Sequence, residues 1–476
     1  MATSAAVALE RGAPVDAVLR ARALPEGWTP LRVLTAVERR PHTLFLESQG
    51  PLGAESEWTI LAFDPAWRLE LRDGALWRIE GATSARLAGH PLDALAASWP
   101  GRQRYERTPS VPFAGGLAGY LAYDFKDWIE RFPAKARREL DLPDLSLGYY
   151  DVAWAWNRAT GEAWAVTLGD AARLDAQWAS LEKALGESQT HVASHNAAPP
   201  PRAVSNFTRD DYLRVVERAL EHIAAGDIYQ VNLAQRFLVD PAPPLPEFYR
   251  SLRQASPAPF LALVTLPEGG IASSSPERFF RVSGDRIETW PIKGTRPRGR
   301  NAAEDLALAS ALRQSEKDRA ENVMIVDLER NDLGRVAEIG TVTVSELCGV
   351  TSHANVHHLV SRVEGRLRPD AGPVDVIRAL FPGGSITGAP KIRAVQVIDD
   401  LEPIRRGVYT GAIGYWDRSG DCDWNIAIRT VVLTGGRASF HAGGGIVADS
   451  TPEAEYEETL VKASGMMRAL GVAPLI

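Results

Sequence analysis

Cysteine is almost missing from this chain: Cys348 and Cys422 are the only two in 476 residues. Two cysteines so far apart give no disulfide framework and no paired metal-ligand spacing, which suits a reducing compartment. Long apolar runs are missing too, since no uncharged stretch approaches the ~18 residues of a membrane span. The first residues, "MATSAAVALERGAPV", lack a basic stretch followed by an apolar one, as a secretory signal requires. Nor is there an excess of basic charge. The net charge is −7, so no global field favours nucleic acid or acidic membrane. A soluble, cytoplasmic protein is expected.

What is present is ordinary globular material. Apolar residues make up 45% and charged residues 24%, and 13 Trp with 13 Phe can fill a sizeable core. The clearest seam is the polar, proline-ended stretch "GESQTHVASHNAAPPPRAVSNF" at 186–207. It divides an N-terminal region, 1–190, from a C-terminal one, 208–476, with 191–207 as linker. Before it, "DVAWAWNRATGEAWAVTL" alternates around an "ATGE" turn and predicts a hairpin. After it, Thr208 and Asp211 form a capping-box pattern ahead of helical apolar spacing that ends at Gly226. A helix is expected from about 302 to 328. Strands are expected at "VYTGAIGYW", "WNIAIRTVVL" and "ASFHAG", then a last helix capped by Ser450 and Glu453. Helices alternating with antiparallel hairpins predict an α+β fold.

Some motifs fail on inspection. "GGSITGAPK" (383–391) lacks the Gly-Lys-Ser/Thr ending of a phosphate loop, although its glycines leave backbone N–H groups free to hold a carboxylate. His357 and His358 have no partner at metal-ligand spacing. Neither cysteine sits in a nucleophile turn.

Other positions carry chemistry that local structure does not require. In "TWPIKGTRPRGR", Lys293 stands at the mouth of a turn with Arg296, Arg298 and Arg300 behind it. It reads as a surface lysine, an anion clamp or a nucleophile. Crowding by arginines would favour loss of its proton. In "SSSPERFF", Glu277 lies between small residues and two phenylalanines, which suits a general acid, or else it pairs with Arg278 or Arg281. Glu455, Glu458 and Lys462 share one helix face. That is either a solvated acidic face or a hard donor set for Mg²⁺, completed by a third carboxylate. Arg429 sits inside an apolar strand and needs an anion, and Gly443, Gly444 and Gly445 permit close backbone approach to a ligand.

The segments "SPERFF", "PIKGTRPRG", "DRAENVMIVDLERNDLGR", "VHHLVSRVEG", "PGGSITGAPK", "RGVYTGAIGYW", "NIAIRT" and "GGGIVADSTPEAEYEETLVKA" resemble, in order, the chorismate-utilising enzyme family. That family includes anthranilate synthase component I and aminodeoxychorismate synthase component I. The match runs over roughly residues 208 to 467, and "TLFLES" and "FAGGLAGYLAYDF" resemble the family's N-terminal half more loosely. The resemblance implies two orthogonally packed antiparallel β-sheets flanked by helices. It implies Mg²⁺ on Glu321 and Glu458, with Glu455 acting through water. Chorismate contacts would come from Gly294, Thr295, Tyr409, Arg429, Gly443, Gly445 and Lys462, with His358 and Thr387 nearby.

In the anthranilate synthase pattern, position 293 is alanine; in aminodeoxychorismate synthase it is lysine. The lysine implies attack of Lys293 on C2 of chorismate while Glu277 protonates the departing C4 hydroxyl. Ammonia then adds at C4, expels the lysine and leaves 4-amino-4-deoxychorismate, a para-aminobenzoate and folate precursor, without release of pyruvate. Anthranilate synthase is the alternative. Water-using relatives place a base lysine where this chain has Gln230. The ammonia implies a separate glutaminase subunit, because nothing around either cysteine suits amide hydrolysis. Glu47 and Ser48, with Pro257 and Phe260 of "SPAPF", resemble the family's tryptophan-holding segments, so tryptophan is a further expected ligand.

Overall fold

A computed structural model describes residues 15–49, 57–133, 135–187, 201–352 and 356–472. Two antiparallel twelve-stranded sheets form the frame. One runs from Ile292–Pro297 through Val356–Arg366, Arg278–Ser283, Cys422–Ile426, Ala412–Asp417 and Gly116–Leu121 to Thr83–Arg86 at its far edge. The other runs from Arg202–Ser205 through Gln230–Asp240, Arg437–Ile446, Thr430–Thr434, Phe260–Leu266 and Leu44–Glu47 to Arg20–Ala23. Both sheets contain strands from either side of the proline-rich seam. Ala412–Asp417 pairs with Gly116–Leu121 over its whole length, and Phe260–Leu266 pairs with Leu44–Glu47. The division at 190 is therefore a division of sequence, not of the sheets. Of the expected linker, 191–200 lie outside the described residues, and Arg202–Ser205 is an edge strand paired with Gln230–Asp240.

The sheets face each other across Ile60, Ala62, Ala153 and Val166 on one side and Ala118, Tyr120, Ile413 and Tyr415 on the other. Such alternating small and aromatic side chains interdigitate at native density. Helices cover the outer faces. Pro30–Val37, Ala171–Glu187, Leu245–Ala255 and Pro452–Ala469 pack on one sheet, while Pro91–Ser98, Glu316–Gly334 and Pro373–Leu380 pack on the other. Among the described residues, no helix is long and apolar enough to cross a membrane.

The hairpin expected around "ATGE" forms, pairing Val152–Asn157 with Ala163–Thr167. Thr208 accepts the Asp211 amide hydrogen bond and starts the helix Arg209–Ala224, as the capping pattern predicts. Three expectations change. The helix from 302 to 328 is two helices, Ala302–Gln314 and Glu316–Gly334, because Ser315 ends the first and its hydroxyl caps the second. Thr451, not Ser450, is the N-cap of the last helix; Ser450 Oγ instead donates to Glu455 at 2.6 Å. "WNIAIRTVVL" is not one strand. Cys422–Ile426 belongs to one sheet and Thr430–Thr434 to the other, and the chain crosses between them at 427–429. Arg429 takes a left-handed φ of 49° at that crossing, a conformation uncommon outside glycine and enriched at functional sites.

Candidate active site

The two sheets and the last helix converge on one group of polar side chains. The strand Gln230–Asp240 alternates apolar Val231 and Leu233 with polar Gln230 and Asn232. Period-two alternation puts that polar pair on one face, opposite Gly445, where an added Cβ would stand 2.5 Å from Gln230 Nε2 and 3.0 Å from Asn232 Oδ1. Gly443 likewise faces the Ala234 backbone, and Gly444 lies beside Glu455 and Glu458. The triple glycine is what lets that strand approach both the neighbouring backbone and the acidic helix. Asn232 Nδ2 donates to the Ser385 carbonyl at 2.7 Å, and Lys293 Nζ donates to the same oxygen at 3.1 Å. Gln230 is fully buried, yet neither its amide oxygen nor its nitrogen has a partner. A buried, unpaired amide costs ~1–3 kcal/mol, so it marks a place made for something else.

Glu277 is buried, and its Oε1 has no hydrogen-bond partner. Neither suggested ion pair forms: Arg278 holds Asp423 at 2.9 and 3.0 Å, and Arg281 reaches Glu288 at 3.8 Å. Burial drives the Glu277 pKa above the usual carboxylate range, outweighing the Ser385 hydroxyl and the Lys293 charge. A carboxyl in that setting holds its proton more tightly than a solvated one and is chemically suited to donate it. Lys293 is tuned the other way. Its pKa is lowered by burial, against the raising pull of Glu321 and Glu277. The arginines do not crowd it. Arg296 pairs with Asp318, Arg298 with Asp305 and Arg300 with Glu304, so desolvation, with the Lys462 ammonium as a smaller like charge, lowers its pKa.

The acidic helix is not a uniformly solvated face. Glu455 is buried, takes the Ser450 hydrogen bond on Oε1, and leaves Oε2 without a partner. Glu458 is half-exposed and pairs with Lys462 at 2.6 Å, while Lys462 also donates to the Gly443 carbonyl at 3.0 Å. Glu321, from the helix Glu316–Gly334, has its pKa raised by burial and is close enough to Glu458 for that charge to raise it further. Among the described residues, no three acidic, His or Cys side chains are gathered at metal-binding distance. The donor chemistry nonetheless fits a hard divalent cation: carboxylates held close against their own repulsion, one with a buried orphan oxygen.

The remaining expected contacts fall in three places. Gly294, with φ of 77°, and Thr295 continue the strand bearing Lys293, and Thr295 Oγ1 meets His358 Nδ1 at 3.0 Å. Thr387 lies in the buried loop with Ser385 and donates to the Gly383 carbonyl at 2.8 Å. Tyr409 stacks on His441, ring centroids 5.0 Å apart, beside the buried Arg406–Glu402 pair. Arg406 donates to the carbonyls of Ile386 and Asn232 and so ties Tyr409 to the loop. Arg429 has no ion-pair partner among the described residues, and burial lowers its pKa. Asn232, Ser385 and Arg406 were not anticipated. The polar alternation in "YQVNLA" was a usable signal for Asn232; a backbone carbonyl such as that of Ser385 leaves none.

A second cavity of about 280 Å³ opens between the sheets, lined by Ser48, Trp58, Phe260, Tyr415 and Asn425 among others. Ser48 and Phe260 thus meet as expected, but Pro259 rather than Pro257 reaches the lining. Glu47 is engaged by Arg253 through two hydrogen bonds, 3.0 and 2.6 Å.

Comparison with known proteins shows the family and the fold. Residues 42–468 match the sequence profile of the chorismate binding enzymes. The chain is 37% identical to aminodeoxychorismate synthase component 1 of Bacillus subtilis over 91% of its own length and 93% of that protein's. It is 39% identical to anthranilate synthase component 1 of Thermus thermophilus, covering 92% and 94%. A crystal structure of anthranilate synthase component I from Streptococcus pneumoniae superposes with a TM-score of 0.78 at 32% identity, covering 88% of this chain and 94% of that one.

Proposed function

Because this chain belongs to the chorismate binding enzyme family, we propose that it is an aminodeoxychorismate synthase component I, converting chorismate and ammonia to 4-amino-4-deoxychorismate. The observation that carries the reading is Lys293. It stands partly buried between Glu277 and the carboxylates of Glu321 and Glu458, has a lowered pKa, and is held by a single carbonyl oxygen. A lysine whose pKa is lowered, beside a carboxyl whose pKa is raised, suits a nucleophile with a proton donor for the leaving group. The two anthranilate synthase relatives are as similar overall, so identity along the chain does not decide between the reactions; the residue at 293 supports this one.

In this reading Lys293 Nζ attacks C2 of chorismate, both conjugated ring double bonds shift along C2–C1–C6–C5–C4, and the C4 oxygen leaves as water with the proton of Glu277. Ammonia then bonds to C4, both double bonds shift back, the C2–Nζ bond breaks to restore the lysine, and a proton of the new ammonium returns to Glu277. The Gly443–Gly445 backbone, Thr295, Tyr409 and Arg429 orient the ring and its carboxylates. Glu321, Glu458 and Glu455 would hold Mg²⁺, which supplies positive charge to a substrate carboxylate that those glutamates would otherwise repel. Lys462, now on Glu458, would then be free for the substrate. Ammonia would arrive from a separate glutaminase.

The test is product and pyruvate followed together in chorismate, Mg²⁺ and ammonium. A product retaining its enolpyruvyl group, with no pyruvate, is expected, along with a substrate adduct on Lys293 that Lys293→Ala abolishes. Stoichiometric pyruvate from the unmutated protein would establish the anthranilate reaction instead.

A further inference from the structure

Behind Glu277 lies a second buried carboxyl, Glu329, that the reaction above does not use. It sits on the inner face of the helix Glu316–Gly334, buried, with Oε2 2.9 Å from Thr289 Oγ1. The same hydroxyl lies 2.7 Å from the Phe279 carbonyl oxygen. A threonine hydroxyl has one hydrogen, and a carbonyl can only accept. If that hydrogen goes to Phe279, the contact with Glu329 is a hydrogen bond only when the carboxyl itself carries the proton. Phe279 is two residues from Glu277, and Thr289 is four from Lys293, so this bridge braces the segments that present both reactive groups.

We propose that Glu329 is a positioning residue protonated at neutral pH: it braces the Glu277 and Lys293 segments through Thr289 while adding no charge beside the acid. This rests on the assignment of Glu277 as proton donor. The titratable groups facing Glu329 are Glu277 and Asp332, whose ionised forms disfavour its own ionisation, and Lys391, which favours it. Lys391 is largely spent on Asp332, at 2.5 Å, with Arg335 also near that carboxylate. Burial, the largest influence, and Glu277 push Glu329 up to about 8. Ionisation above that pH would place an anion beside Glu277, tighten its hold on its proton and make it a poorer acid.

Two measurements test this. Infrared spectra of the substrate-free protein, wild type minus Glu329→Gln, should contain the carbonyl stretch of a protonated carboxylic acid at neutral pH. The band should vanish as the pH rises through about 8. An ionised carboxylate at neutral pH overturns the proposal. Should Glu329→Gln fail to fold, Thr289→Val replaces it as the reference, and the band must move to the position of an unbonded acid; an unmoved band overturns the bridge. This reading needs no substrate, so it stands apart from the identity of the reaction. Second, the kcat/KM ratio of Glu329→Gln to wild type should be flat below about pH 7 and climb about threefold or more by about pH 9.5, the amide being unable to ionise. Comparing the two proteins cancels the titrations of Lys293 and ammonia. A ratio independent of pH would reduce Glu329 to a packing role.

Discussion

Two pockets among the described residues differ in how their charged groups are partnered. Around the cavity at Ser48 and Phe260, charge is tied down: Glu47 to Arg253, Arg107 to Asp421, Arg278 to Asp423. Around Lys293, polar atoms are left over: Glu277 Oε1, Glu455 Oε2 and the whole Gln230 amide have no partner, and Arg429 has no ion pair among the described residues. Satisfied networks stabilise and fix a wall; unsatisfied ones cost stability and are kept where a ligand supplies the missing bonds. Chemistry belongs to the second kind of pocket, and a binding or structural role to the first.

Experiments can strain this contrast in order of expected effect. Glu277→Gln should lower kcat by about 10²–10⁴, the usual contribution of a general acid. The same change should raise the midpoint of thermal unfolding at neutral pH. A carboxyl whose folded pKa is raised weakens the fold once pH exceeds its unfolded value, and the amide removes that penalty. Activity lost with stability also lost would contradict the leftover-partner reading. Glu321→Ala or Glu458→Ala should each bring turnover near the background of a chelator-treated sample, with unchanged circular dichroism. Full activity in EDTA would end the Mg²⁺ proposal. In the paired pocket the outcome should invert. Arg253→Met leaves the partly buried Glu47 without its cation and should destabilise by about 1.5–3 kcal/mol, read by denaturant midpoint, while the kcat of the surviving folded fraction stays within a few-fold.

Two smaller effects concern ligands. Equilibrium dialysis should find tryptophan bound at the second cavity and weakened about tenfold by Phe260→Ala, consistent with loss of an aromatic contact of ~1–2 kcal/mol. No binding at millimolar tryptophan would leave that cavity structural. The chain by itself should turn over with ammonium but not glutamine, since both cysteines are buried with raised pKa values. Glutamine use by the pure chain would refute the separate glutaminase.

Much was legible in the sequence because it was written in local patterns. The hairpin at 151–168, the helix after Thr208 and the α+β alternation follow from side-chain period and capping chemistry, which need no distant contact. Glu277 and Lys293 stood out because a charge among apolar or glycine neighbours is anomalous within a few residues of sequence. The failures share one cause. "WNIAIRTVVL" reads as a single strand because its apolar alternation is unbroken, yet the need to supply both sheets splits it at Arg429. Likewise nothing local says that Arg296 finds Asp318, 22 residues further on.

The residues by themselves thus determined most of the elements and the enzyme family, and named the candidate side chains. Only the tertiary structure decided electrostatic environment and partnership: that burial rather than the nearby arginines lowers the Lys293 pKa, that Glu455 is buried and Glu458 is not, that Glu329 and the Phe279 carbonyl meet at one hydroxyl. These depend on desolvation and on distances between groups tens to hundreds of residues apart. Free energies of that kind are set by what surrounds a charge in space, and the order of residues along the chain does not state it.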